Sequence, residues 1–143
     1  MGVRGIARDL AAAGLGTLKP LTAEPVAGEG PGPDVRTDDP AGCPAFFAQG
    51  VNGVSNGASP EWLAKRLRAI GQKPISALVD VTNYVTVDLG RPLHVYDKAK
   101  LSGGLVARKA KAGETVLALN GKTYTLDQTM TVIADDALSL IHI

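Results

Sequence analysis

The sequence has little from which to build covalent, metal-centred or aromatic architecture. Across 143 residues there are one cysteine, two histidines and one tryptophan, and aromatic residues make up 4%. A single cysteine, Cys43, excludes an internal disulfide and any cysteine-rich zinc site, and it fits a reducing compartment. Cys43 stands beside Pro44 with no neighbouring base, so it reads as a small structural residue rather than a nucleophile. With no HxxxH or CxxC pair, a metal site is not expected. There is no G-x-S-x-G elbow and no P-loop, and the glycines at 53, 57, 103 and 104 do not form a phosphate-binding fingerprint. Charge of one sign is also lacking, because 15 Lys and Arg against 14 Asp and Glu leave a net charge of +1. An RNA partner would therefore have to be held by a local patch. No run approaches the ~18 apolar residues of a membrane span, and the N-terminus has no long apolar signal core. The expectation is a cytoplasmic protein with no membrane contact.

What is present is an aliphatic, globular composition, 45% hydrophobic and 20% charged, with room for one ordinary domain. Residues 3–14 read as a short helix with Ile6, Leu10 and Ala13 on one face and Gly14 as a stop. Such a stripe needs a partner, and none is obvious in the rest of the chain. Pro20, Pro25, Pro31, Pro33 and Pro40 then mark residues 19–43 as a linker without apolar period. The expected organisation is a helical stub over 1–18, the linker, and a domain over 44–137.

Within that domain, residues 45–54 (AFFAQGVNGV) are a strand candidate weakened by glycines. Ser59-Pro60-Glu61 opens a helix, with Ser59 as N-cap and Pro60 at the first helical position. Trp62, Leu63, Leu67 and Ile70 form its apolar face, and Gly71 closes it. The next stretch is ambiguous. Val79, Val81, Val85 and Val87 alternate like a strand, whereas Ile75, Leu78, Thr82, Val85 and Leu89 fit helical spacing. Ser76 as N-cap and Gly90-Arg91-Pro92 as a stop favour helix. After Leu101 the pattern turns to β, with strands expected over 105–110, 115–119, 122–126 and 131–135. Asn120-Gly121 is a type I′ hairpin signal. Two helices followed by a mostly antiparallel sheet give an α+β fold. The last six residues, 138–143, end the chain on an apolar note, and truncation of a longer protein is expected there.

Two groups of residues invite a functional reading. His94 near Thr82, Asn83 and Asp97 would form a polar cluster if a helix packs against the following turn, though a lone histidine after a proline is more often a structural hydrogen-bonder. Lys65, Arg66, Arg68 and Lys73 form one basic group, and Arg108, Lys109 and Lys111 another. Such groups are most often solvated faces. Residue chemistry by itself stops at a polar pocket and a basic surface.

The run SPEWLAKRLRAIGQKPISALVDVTNYVTVDLGRPLHVYD resembles the editing domain of the bacterial phenylalanyl-tRNA synthetase β-subunit. LSGGLVARKAKAGETVLALNGKTYTLD and VIAD continue the resemblance in order. VRGIARDLAAAGLG resembles the helix of that family's preceding module, while the final LSLIHI departs from the family. The resemblance implies an internal piece of an α2β2 ligase that charges tRNA(Phe) with ATP and magnesium. Ligation would lie on the α-subunit, so no cofactor is expected on this chain. The matched region implies hydrolytic editing of Tyr-tRNA(Phe). Editing answers a physical need, since an apolar pocket rejects an added hydroxyl by only about 10²-fold. Thr82, Asn83 and His94 match positions lining the family's editing pocket, where they would hold the terminal adenosine and ester and position a water. Lys73 falls where the family has an arginine, keeping the charge without the planar fork. The family's glutamate that reads the tyrosine hydroxyl would lie beyond Ile143, so the chain alone is expected to be inactive. The alternative is a tRNA-binding or scaffold module that keeps this fold without catalysis.

Overall fold

The computed structural model describes residues 2–118 and 121–137. It resolves into a helical unit, Met1–Gly28 with Gly53–Val95, and a sheet unit, Glu29–Asn52 with Tyr96–Ile143. The fold is α+β, as the order of elements in the sequence indicates.

The helical unit contains α1 (Val3–Ala12), α2 (Glu61–Ala69) and α3 (Ala77–Leu89). α3 decides between its two periodicities through its ends. Ser76 occupies the N-cap position in an extended conformation, and Gly90 closes the helix at φ 70°, donating its N–H to the Thr86 carbonyl at 2.9 Å. An L side chain rarely takes that conformation, so glycine there stops the helix where a valine would have let a strand run on. α2 buries Leu63, Ala64 and Leu67. Trp62 and Ile70, expected on that face, are 54% and 47% exposed instead, because the buried stripe is narrow and turned one position along the helix. α3 packs against both α1 and α2, and so supplies the partner that the sequence did not reveal for α1. The approach is close at Gly2, where a Cβ would stand 2.6 Å from the Gly90 nitrogen.

Hydrogen bonds fix the junction before α3. Asp80 is completely buried, and its Oδ1 accepts from the Ile75 N–H at 2.9 Å. Its Oδ2 accepts a short bond from the Ser59 hydroxyl. Ser59 thus ties α2's entry to α3; the capping position of α2 falls to Pro60, with no side-chain cap bond. Asn56 supplies what Ser76 does not, since its Oδ1 accepts from the Leu78 N–H at 3.3 Å in the first turn of α3.

In the sheet unit, β1 (Val35–Thr37) pairs parallel with β2 (Leu105–Lys109), which pairs antiparallel with β5 (Thr131–Asp135). β1 lies inside the stretch read as a proline-rich linker. Three residues carry no local period, and their partner is distant in sequence. β2 is the central strand, with Leu105, Val106, Ala107 and Arg108 all buried. The expected strand over 45–54 does not form. No ladder partner reaches it, and Phe47 is 88% exposed.

β3 (Thr115–Leu117) and β4 (Thr123–Thr125) pair antiparallel as a hairpin. The register Leu117↔Thr123 continues in the bond from the Ala118 N–H to the Lys122 carbonyl, 2.9 Å. This leaves three residues in the loop, rather than the two of a type I′ turn. Gly121 takes φ 75°, the left-handed position that closes three-residue hairpins. Asn120 lies outside the described residues, as do 138–143.

Carboxylates clasp the strand ends. Asp135 accepts from the Ser102 N–H at 3.0 Å, and Asp136 from the Gly104 N–H at 2.7 Å and Arg36 at 2.9 Å. A Cβ on Gly103 would collide with the Asp136 carboxylate. The Ser-Gly-Gly run is therefore a socket for the end of β5.

Candidate functional site

The residues singled out by the sequence sit on α3 and on the segments that flank it. Thr82 and Asn83 are half-buried on the middle of the helix. The Thr82 hydroxyl donates to the Val79 carbonyl at 2.7 Å, so its proton is committed to its own helix and its lone pairs remain to accept. Beyond Gly90 the chain turns back. The Leu93 N–H donates to the Thr86 hydroxyl at 3.2 Å, and Thr86 follows Asn83 by three residues on one helix face. That bond ties the segment bearing His94 to the face that carries Asn83. The His94 side chain itself is exposed. Lys73 is exposed in the loop between α2 and α3, two residues before the Ile75 amide that Asp80 holds.

Thr82, Asn83, His94 and Lys73 thus belong to one unit, but they line neither of two concavities, one in each unit. A cavity of about 420 Å³ opens along α1, lined by Val3, Leu10, Leu15 and Leu18 among others. A smaller one of about 130 Å³ lies between Asp34, Arg36, Leu105 and Asp136. The two neighbouring aspartates are structural. Asp80 pins the loop, and Asp97 caps the short 3₁₀ turn Lys98–Lys100 by accepting from the Ala99 N–H at 3.0 Å. Burial pushes the Tyr96 phenol up to about 12, so it stays protonated at neutral pH. Cys43 has a structural environment, its Sγ 3.5 Å from the Ala45 carbonyl oxygen. Among the described residues no group of three or more His, Cys, Asp and Glu is placed to hold a metal ion.

A further cluster went unread in the sequence. Trp62 on α2 meets Tyr84 on α3 edge-to-face, with centroids 5.8 Å apart and planes at 88°. The Arg66 guanidinium lies 5.4 Å from the Trp62 ring centre and 5.6 Å from that of Tyr84, and donates to the Tyr84 hydroxyl at 2.8 Å. The i,i+4 spacing of Trp62 and Arg66 was the available signal; the pairing with Tyr84 is tertiary.

The family model described as "B3/4 domain" matches residues 42–143. The chain belongs to the B3/4-domain family. The match takes in α2, α3 and β2 to β5 among the described residues. Similarity runs wider than the B3/4 domain itself. The phenylalanine–tRNA ligase beta subunit of Novosphingobium aromaticivorans is 67% identical over 138 residues, covering 96% of this chain and 17% of that protein. The subunit of the same name from Zymomonas mobilis is 59% identical over 95% of this chain. That of Rhodopseudomonas palustris is 60% identical over 94%. The chain spans about 17% of the length of these relatives. No helix among the described residues is long and apolar enough to cross a membrane.

Proposed function

We propose that this chain is part of the β-subunit of a phenylalanine–tRNA ligase, and that its B3/4 domain contributes to hydrolytic editing of Tyr-tRNA(Phe). The observation that carries the proposal is the 67% identity to a phenylalanine–tRNA ligase beta subunit over 96% of the chain. The partners follow from that reading: tRNA(Phe) as substrate and an α-subunit in an α2β2 assembly in the cytoplasm. ATP and Mg²⁺ belong to ligation on the α-subunit. No step proposed for this chain runs through either group.

In editing, the half-buried Asn83 and Thr82 hold the terminal adenosine and the ester. Thr82 acts as an acceptor, because its proton is spent on Val79. His94 orients the attacking water, and Lys73 offers a positive charge to the RNA backbone. The second reading, a tRNA-binding or scaffold module without catalysis, draws support from the exposure of His94.

One experiment separates them. In the intact ligase, His94→Ala should slow deacylation of preformed Tyr-tRNA(Phe) by about 10²- to 10⁴-fold, the usual worth of a positioned acid, base or water-orienting group. Phenylalanine charging should stay nearly unchanged, because ligation occurs on the other subunit. Equal deacylation rates for mutant and wild type would return His94 to a structural role and favour the scaffold reading.

A further inference from the structure

The α2 surface next to the buried Leu63 and Leu67 has no packing role that accounts for its composition. Trp62, Lys65, Arg66 and Ala69 recur at three- and four-residue spacing along α2, and all four are exposed. Net charge on the chain is only +1, so this strip is a local concentration of positive charge. The acid on the same helix, Glu61, is occupied by Arg68 at 2.9 Å and does not neutralise Lys65. The tryptophan is 54% exposed, although the edge-to-face contact with Tyr84 and the Arg66 guanidinium over its ring hold it in one orientation. A large aromatic side chain kept half open, held in place and followed by a lysine one turn along the helix is what an unpaired nucleotide needs. The π-face left open takes a base whatever its identity, and the ammonium group takes a phosphate.

We propose that the strip formed by Trp62, Lys65 and Arg66 binds an unpaired stretch of RNA, one base stacking on the indole and Lys65 pairing with the backbone. The choice of RNA as occupant rests on the tRNA-ligase reading; the site itself is separate from Thr82, Asn83 and His94. Charge complementarity and the open aromatic face favour a single strand over a duplex, whose bases are not available for stacking. Tyr84 and Arg66 serve as positioning residues, since ordering the indole beforehand lowers the entropy lost on binding.

Trp62 is the only tryptophan in the chain, so its fluorescence reports the contact directly. The 143-residue chain is titrated with a 12-nucleotide single-stranded RNA ending in CCA, and separately with the same strand in a duplex. Single-stranded RNA should quench the emission, and the duplex should not. Binding followed by anisotropy of labelled RNA should weaken roughly 5- to 100-fold in Trp62→Ala, given the usual worth of one stacked base. Trp62→Phe, which keeps a ring and the fold, should recover most of that loss. Lys65→Gln should reduce the slope of log affinity against log salt by about 0.7. An unchanged emission on adding RNA, or equal affinities for wild type and Trp62→Ala, would overturn the proposal. The two proposals fail separately. Trp62-dependent binding without His94-dependent deacylation overturns editing alone, and the converse overturns this inference alone.

Discussion

Among the described residues of the helical unit the buried side chains are mostly large aliphatics, Leu63, Leu67 and Val79 beside Ala64, with one carboxylate, Asp80, among them. In the sheet unit the buried apolar residues are mostly small, Val106, Ala107, Ala110 and Ala134 beside Leu105, and they share the interior with Asp39, Arg108 and Asp135. The first unit therefore relies on packing, and its one buried charge is matched by a hydroxyl and an amide. The second, whose buried apolar side chains are smaller, adds ionic clasps to its packing. Arg108 and Glu114 form a two-pronged pair at 2.6 and 3.0 Å, with side chains only 9% and 15% exposed. Asp39 gathers the Gly42 amide, the Thr131 hydroxyl and Lys109. Burying charge costs more than burying methyl groups, so such clasps favour one arrangement without adding much net stability.

The sharpest way to break this contrast is to remove half a clasp. Arg108→Ala should destabilise the sheet unit by about 3 kcal/mol, because the half-buried Glu114 loses its counter-charge. Replacing both partners, Arg108→Met with Glu114→Leu, should recover most of that loss. Urea melts of the three proteins decide it, and a double variant as unstable as the single one would show that the pair itself stabilises. In the helical unit, Leu67→Ala should cost about 2–5 kcal/mol through lost burial and the cavity left behind. Amide exchange should show the loss at Leu63 before it shows at Val106.

Acid should separate the units next. The carboxylates held below their ordinary range by hydrogen bonds, Asp39, Glu114, Asp127 and Asp136, are in the sheet unit. For Glu114 the hydrogen bonds from Arg108 bring the value down to about 2 from an ordinary 4.5. A lowered folded value means stabilisation that is fully present above the ordinary value and lost as pH falls through the folded one. Between pH 5 and pH 2 the amide resonances of Val106 and Ala134 should therefore lose dispersion before those of Leu63 and Leu67. Simultaneous loss would argue against separate support. The smallest effect belongs to the exposed pair Arg68–Glu61, with side chains 57% and 79% exposed. Arg68→Ala should change the unfolding free energy by no more than about 1 kcal/mol.

How far the sequence carried depends on whether the deciding interaction was local. β2 to β5 were legible because alternation and turn residues lie within each segment, and the register of β3 with β4 differs from a two-residue turn by only one position. α3 was legible from Ser76 and Gly90 in spite of its alternating valines. β1 was not, since Val-Arg-Thr becomes a strand only by pairing with Leu105–Ala107. The run at 45–54 failed for the opposite reason, having strand composition and no ladder. At the candidate site, the helix under Thr82 and Asn83 could be read from spacing. The use of the Thr82 proton on Val79, the tie from Leu93 to Thr86 and the Trp62–Arg66–Tyr84 cluster depend on atoms that only folding brings together.

The interleaving of the two units also bears on how the chain is made. Val35 pairs with Leu105, 70 residues later, and the residues between them include both α2 and α3. At roughly 5–20 residues per second of synthesis, β1 leaves the ribosome about 4–14 s before its partner exists. The helices fold on a microsecond scale in that interval. β1 has only three residues and stands among prolines and glycines, so while it waits it offers a nascent neighbour little edge on which to pair. Its brevity is a safeguard during translation as well as a limit on its later contribution to the sheet.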